Sequence, residues 1–255
     1  IMNHLFPDTT YGCESGGDPK NIPDLTYENF LNFHRTYYHP SNSYIYLYGN
    51  MDMEEKLAFL DEHYLSHFDY LDVDSVIQEQ KAFGACRDVT LEYPVAENEG
   101  EEDNTYLSYN MVVGNAADSQ MAMAFEVLDY ALLSAPGAPL KKALLDAQIG
   151  KDIYGSFDDG ILQPYFTVIA KGSNPDRKEE FVSVIRQVLG DIVKNGIDRK
   201  AVEAGINYFE FRYREADFSS YPKGLMYSLD ILGDWLYEED HPFSQVQQLE
   251  VFEQL

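Results

Sequence analysis

Asp152-Ile-Tyr-Gly-Ser-Phe-Asp-Asp-Gly160 followed by Ile161-Leu-Gln-Pro-Tyr-Phe-Thr-Val-Ile-Ala-Lys171 decides the fold class. Each arm is rich in β-branched and aromatic residues, and Asp158-Asp159-Gly160 between them is a hairpin turn signal. The reading is two antiparallel strands, Asp152 to Phe157 and Ile161 to Lys171. Upstream, Arg87 to Tyr93 alternates with Val89, Leu91 and Tyr93 on one face. Thr105 to Val113 alternates with Leu107, Tyr109, Met111 and Val113. These read as two further strands joined over the acidic turn Glu97 to Asp103.

The stretches between the strands carry helical periodicity. Asp118 or Ser119 caps a helix with the stripe Met121, Phe125, Leu128 and Leu132. Pro136-Gly137-Ala138-Pro139 breaks it, and a short helix carries Leu140 and Leu144 to Gly150. A long helix bears Phe181, Ile185, Val188 and Ile192 and stops at Gly196. Asp198 opens another with Val202, Ile206 and Phe209. Pro222 suits the first turn of a last one with Leu225, Leu229, Leu232 and Leu236. Residues 86–255 thus read β-β-α-α-β-β-α-α-α-α. Hairpins rather than crossovers join the strands, so the class is α+β, a mostly antiparallel sheet with helices on one face.

Residues 1–68 read differently. Thr26 caps an aromatic helix that ends before Pro40. Ser43 to Gly49 alternates as a strand, with Ile45 and Leu47 opposite Tyr44, Tyr46 and Tyr48. Asp52 caps a helix striped by Leu57, Leu60 and Tyr64. This is the tail of an α/β unit, and the polar, aperiodic residues 69–85 read as a linker. Phe243 to Leu255 keeps helical spacing (Val246, Leu249, Phe252) without a Gly or Pro stop, as in an excised fragment. The start, Ile1-Met2, shows no basic n-region or apolar segment of a secretory signal, which favours the cytoplasm.

Charge bounds the partners. Eighteen Lys and Arg face 44 Asp and Glu, for a net charge of −26, so the chain repels nucleic-acid backbones and anionic membrane surfaces. No apolar run approaches the roughly 18 residues that span a bilayer.

Catalytic signatures are missing. There is no H-x-x-E-H, H-E-x-x-H, G-x-S-x-G or P-loop, and Gly16-Gly17-Asp18-Pro19 reads as a turn. His63 and His67, spaced i, i+4 on the helix after Asp52, share a helix face; Glu62 or Asp69 would be the third ligand, but Glu62 projects elsewhere. They read as an exposed pair. His34 and His39 read as packing and capping residues. Cys13 and Cys86 form no CxxC pair and read as structural, with only Arg87 as a basic neighbour of Cys86. The acidic run Glu97 to Asp103 lacks the ligand spacing of a calcium loop and reads as a solvated hairpin tip. The sequence therefore names no catalytic, cofactor-binding or metal-ligating residue.

Several blocks carry a resemblance. Leu5-Phe-Pro-Asp-Thr-Thr-Tyr-Gly12, Ser15-Gly-Gly-Asp-Pro19, Ile22-Pro-Asp-Leu-Thr-Tyr27, Phe33-His-Arg-Thr-Tyr-Tyr-His-Pro-Ser-Asn42 and Tyr46-Leu-Tyr-Gly-Asn-Met-Asp52 resemble the insulinase (pitrilysin) family of zinc metallopeptidases. They are most similar to its presequence-protease and falcilysin branch. Gly137-Ala-Pro-Leu140, Ile153-Tyr-Gly-Ser-Phe157, Asn195-Gly-Ile-Asp198, Tyr213-Arg-Glu215 and Phe218 to Gly224 resemble that family's next, non-catalytic domain.

The resemblance implies the following. Residues 1–68 close the zinc-peptidase domain, 69–85 link, and 86–255 form the second domain. The zinc motif and its third glutamate ligand lie upstream of Ile1, so Zn²⁺ belongs to the parent enzyme and not to this chain. Arg212 and Tyr213 do not inherit the family's substrate-binding Arg and Tyr, whose place is in the last domain. The chain is then chamber wall and scaffold of a peptide-degrading endopeptidase. Its partners are the rest of the polypeptide and peptide substrates, for which an acidic chamber would suit basic peptides. The alternatives are an inactive structural or partner-binding subunit of the same family and an unrelated ligand-binding module.

Overall fold

The computed structural model of the chain describes residues 1–216, 218–237 and 240–252, with the side chains of Gln245 and Glu250 aside. The tail of the C-terminal helical reading, residues 253–255, lies outside the described residues. The chain divides into two compact units. One comprises Ile1–Gln80 with Phe218–Phe243; the other comprises Lys81–Asp217 with Ser244–Leu255.

The second unit holds the sheet. Strands β1 (Thr105–Val112), β2 (Asp152–Asp158) and β3 (Tyr165–Ser173) pair antiparallel in the order β1-β3-β2. Leu107, Tyr109 and Met111 stand opposite Ala170, Val168 and Phe166 on one side of β3. Ile153, Gly155 and Phe157 stand opposite the same three on the other. That shared face is the core face, because side chains alternate along each strand.

Three helices cover it. Leu132 and Leu133, Leu140 and Leu144, and Phe181 and Ile185 close one core with Leu107, Ile153, Phe166, Val168 and Ala170. The first pair belongs to a π-helical turn, Tyr130–Ser134, that continues helix α4 (Ser119–Asp129). The others belong to α5 (Pro139–Asp146) and α6 (Lys178–Asn195). The class is α+β, as the sequence reads.

Capping residues do what their chemistry allows. Asp118 accepts from Met121 N, and Asp198 accepts from Lys200 N at the head of α7 (Arg199–Glu215). Gly196, with φ +88°, ends α6 in a backbone region other residues avoid. Alpha-7 lies close on α4: a methyl group at Gly205 would stand 3.2 Å from both Val127 Cγ1 and Tyr130 Cδ1.

Of the expected stripe of α4, Leu132 joins the core and Phe125 and Leu128 pack against it, whereas Met121 does not. The helix also buries Ala122, Met123 and Val127, while Met121 is exposed. The helix packs against both β2 and α7, so a second apolar face is buried beside the stripe.

Two further expectations fail on hydrogen bonding. The β2–β3 connection is not a tight turn at Asp158–Gly160 but runs through residues 159–164. Leu162 O accepts from Ala116 N and Pro164 O accepts from Val113 N, both at 2.8 Å. Pro164 carries no N–H to join a ladder, and the connection instead serves the exit of β1.

Arg87 to Tyr93 is not a strand. Its groups make side-chain contacts instead. Arg87 lies 4.7 Å over the Phe83 ring, Asp88 meets Lys178, and Tyr93 meets Asn104 and the Tyr106 ring. Leu91 stays 71% exposed. Alternation alone makes no strand without a ladder, and Pro94 removes a donor just beyond the segment. The acidic residues 97–103 are therefore not a hairpin tip.

In the first unit, helices α1 (Met2–Leu5), α2 (Tyr27–Tyr37) and α3 (Met53–His63) precede a long stretch without regular structure, from which Gln80 is buried. Gln80 Oε1 accepts from Asp8 N at 2.9 Å, and its Nε2 donates to Asp8 Oδ2 at 2.7 Å. Thr26 caps α2 and Asp52 caps α3, as expected. Ser43 to Tyr48 belongs to no sheet among the described residues.

Helix α8 (Lys223–Tyr237) returns to this unit from far along the chain. Trp235 stacks on Tyr44 with ring centroids 4.5 Å apart, and the Tyr237 and Tyr11 hydroxyls hydrogen-bond at 2.6 Å. The expected leucine stripe does not make this contact, and Leu225, Leu229 and Leu236 are exposed. A short α9 (Leu249–Phe252) belongs to the second unit, where Phe252 meets the Tyr213 ring edge-on.

Candidate functional site

The histidines that could carry chemistry are not brought together. Alpha-3 stops at His63, and His67 closes a separate 3₁₀ turn, Leu65–His67. The i, i+4 helix face for this pair is therefore not formed: Tyr64 leaves helical backbone, with φ −136° and ψ −67°. The His63 ring meets Phe59, the His34 ring stacks on Tyr38 at 4.8 Å, and His39 Nδ1 accepts from Ser41 N at 3.2 Å.

Cys13 and Cys86 are both free and exposed, so neither is a packed structural thiol. In the acidic run, Asp103 is held by Asn174 Nδ2 at 2.8 Å and by Lys151 at 3.2 Å. The Asn174 hydrogen bond, then Lys151, keeps its carboxyl below the usual carboxylate range.

Among the described residues, no three His, Cys, Asp or Glu side chains converge where a metal could sit. A zinc site needs three or four such ligands, and the described residues do not bring them together. An open groove of 410 Å³ lies at the head of α5, lined by Ser134, Pro136, Gly137, Lys141, Lys142 and Asp146. Its cations are partnered: Lys142 by Asp146 and Lys141 by Asp152 at 4.0 Å.

The unusual electrostatics lie elsewhere, where α4, α7 and the β2–β3 connection meet. Glu126 and Asp129 stand one turn apart on α4, and Asp159 opens the connection. Burial pushes the Glu126 carboxyl up to about 7, with the Asp159 charge adding to it and the Arg212 charge opposing. Burial also raises Asp129 and Asp159. Asp129 Oδ1 is sealed from solvent with no hydrogen-bond partner. Beside them burial, then the hydrogen bond that Tyr165 donates to Asp158 at 2.9 Å, pushes that phenol up to about 12. Sequence reading passed over this junction. Its signal was there: Glu126 and Asp129 are the charged residues inside the apolar run Met121 to Leu133.

The surface of the first unit is the other distinctive feature. Phe30, Phe33 and Tyr37 line α2 at 65%, 60% and 38% exposure, and Leu225, Leu229 and Leu236 line α8. No helix among the described residues is long and apolar enough to cross a membrane.

Comparison with known proteins agrees with this arrangement. The family description "Peptidase M16 inactive domain" matches residues 24–209. Protein HypA of Clostridium perfringens is 48% identical over 240 residues, which is 94% of this chain and 25% of that protein. Presequence protease 1 of Arabidopsis thaliana, chloroplastic/mitochondrial, is 36% identical over 96% of this chain and 23% of its own length. The chain thus spans about a quarter of the length of these relatives. Two solved structures share the fold. An M16-like peptidase from Alicyclobacillus acidocaldarius superposes with a TM-score of 0.64 at 16% identity, covering all of this chain and 58% of that one. A peptidase M16 inactive domain from Pseudomonas fluorescens gives 0.63 at 17%, covering 99% and 56%. The chain belongs to the peptidase M16 family, the insulinase family of the sequence resemblance, and carries that family's inactive domain.

Proposed function

We propose that this chain is the non-catalytic wall of a longer zinc-dependent endopeptidase that degrades peptides. In this reading residues 1–68 close the metal-bearing domain, 69–85 link, and 86–255 form the second domain. None of its residues acts as catalyst, cofactor ligand or metal ligand. The metal belongs to residues outside this chain, which would lower the pKa of a bound water for attack on the peptide carbonyl.

The observation that carries the reading is the match of residues 24–209 to the inactive domain of peptidase M16. The uncovered faces of α2 and α8 support it, since other domains of the same polypeptide would cover them. The same faces favour the second reading, an inactive family member that serves as a structural or partner-binding subunit.

One comparison separates the readings. The purified 255-residue chain, given Zn²⁺ and a quenched fluorescent peptide, is expected to show no chelator-sensitive cleavage. The full-length natural protein containing it is expected to cleave the same peptide and to stop on adding chelator. Cleavage by the chain alone overturns the non-catalytic assignment. An inert full-length protein shifts the assignment to the scaffold.

A further inference from the structure

The end of α6 carries chemistry that goes beyond that reading and does not depend on it. Asn195 is the last residue of the helix and Gly196 follows it. No other asparagine of the chain precedes a glycine. Asparagine is a thermolabile residue. Its side-chain carboxamide can be attacked by the backbone nitrogen of the next residue, and glycine, lacking a Cβ, hinders that attack least.

The fold leaves this pair open. Both residues are exposed. Gly196 has left helical backbone, with φ +88° and ψ 157°, and a methyl group built on it would meet nothing within 4 Å. One bond restrains the attacking nitrogen: Gly196 N donates to Ile192 O at 2.8 Å. It is the terminal bond of α6, and helix ends fray.

We propose that Asn195-Gly196 is a site of spontaneous deamidation that loosens the junction between α6 and α7. When the terminal bond opens, Gly196 N attacks Asn195 Cγ. The Cγ–Nδ2 bond breaks, and the amide proton of Gly196 leaves with the side-chain nitrogen as ammonia, closing a cyclic imide. Water then opens that ring at either carbonyl. The product at position 195 is an aspartate or an isoaspartate, in which the main chain runs through the side-chain carbons. Its new carboxylate stands at the negative end of the α6 dipole, one turn from Asp191. An isoaspartate also lengthens the main chain just before Ile197, which packs against the core, and Asp198, which caps α7 by accepting from Lys200 N at 3.0 Å.

Ageing the 255-residue chain at mildly alkaline pH and digesting it with trypsin tests the site, because cleavage after Lys194 and Arg199 isolates residues 195–199. That peptide is expected to gain about one mass unit and to split into aspartate and isoaspartate forms. The gain should be lost in Asn195→Gln, whose longer side chain would have to close a larger ring. Hydrogen exchange at the Lys200 amide is expected to be faster in the aged chain than in the fresh one, and Asn195→Gln aged alike should keep its protection. A synthetic peptide of residues 191–199 is the unrestrained standard. A folded chain that stays unmodified while this peptide converts, a gain that persists in Asn195→Gln, or unchanged protection of Lys200 in the converted chain overturns the proposal.

Discussion

The Tyr48 ring lies directly on the backbone of Gly224, close enough that a methyl group there would fall inside the ring's van der Waals envelope. With Trp235 on Tyr44 and Tyr237 on Tyr11, this contact ties α8 to a segment lying far from it in sequence. Gly224, Ser228 and Trp235 recur at i, i+4 and i+11 and so share a face. Ser228 on it is 4% exposed. Leu225, Leu229 and Leu236 follow the same spacing one residue later, about 100° around the helix. That offset is why the leucines are exposed while smaller and aromatic residues make the contact.

Gly224→Ala should therefore destabilise the chain by about 1–3 kcal/mol, the usual cost of overpacking. Combined with Tyr48→Ala, the same substitution should cost much less, because the ring it strikes is gone. A thermal-denaturation double-mutant cycle with no coupling between the two positions would contradict the contact.

Burial also separates residues that composition treats alike. Ile153 is 0% exposed in the core, while Leu225 is 41% exposed. Ile153→Ala is expected to cost about 2–5 kcal/mol, from lost transfer energy and the cavity left behind. Leu225→Ala should stay within about 0.5 kcal/mol in this chain. Urea midpoints at equal slope decide the matter, and equal losses at the two positions would contradict the assignment of core and surface.

The pH dependence of stability has a definite sign. Glu126 has its carboxyl raised in the folded chain from 4.5 to about 7, so the folded state holds the proton more tightly than the unfolded state. Its contribution is complete below about pH 4.5 and is lost as pH rises through about 7, a swing on the order of 3 kcal/mol at full linkage. Stability measured at about pH 8 should thus fall below that at about pH 6, and Glu126→Gln should remove most of the difference. Equal pH dependence in wild type and Glu126→Gln would count against it.

Periodicity and local chemistry were enough for most of the helices and several of their starts, but not for the end of α3 at His63 or for the run from Phe243, which is a 3₁₀ turn and the short α9 among the described residues. Thr26, Asp52, Asp118 and Asp198 could be named as caps because a side-chain oxygen meets a backbone N–H only two or three residues away. The α+β class was legible in β1, β3 and the helices between them, and the family in blocks such as Tyr46-Leu-Tyr-Gly-Asn-Met-Asp52. Strand status was not legible where it depended on a partner. Arg87 to Tyr93 and Ser43 to Tyr48 alternate as strands do, yet neither joins a ladder among the described residues, because pairing is a property of two segments. The carboxylate junction was decided by tertiary structure for the same reason. Glu126 is an ordinary glutamate until burial withdraws water from it and Asp159, 33 positions along the sequence, is brought alongside. Local sequence sets what each backbone turn prefers; only packing sets which charges lose their solvent.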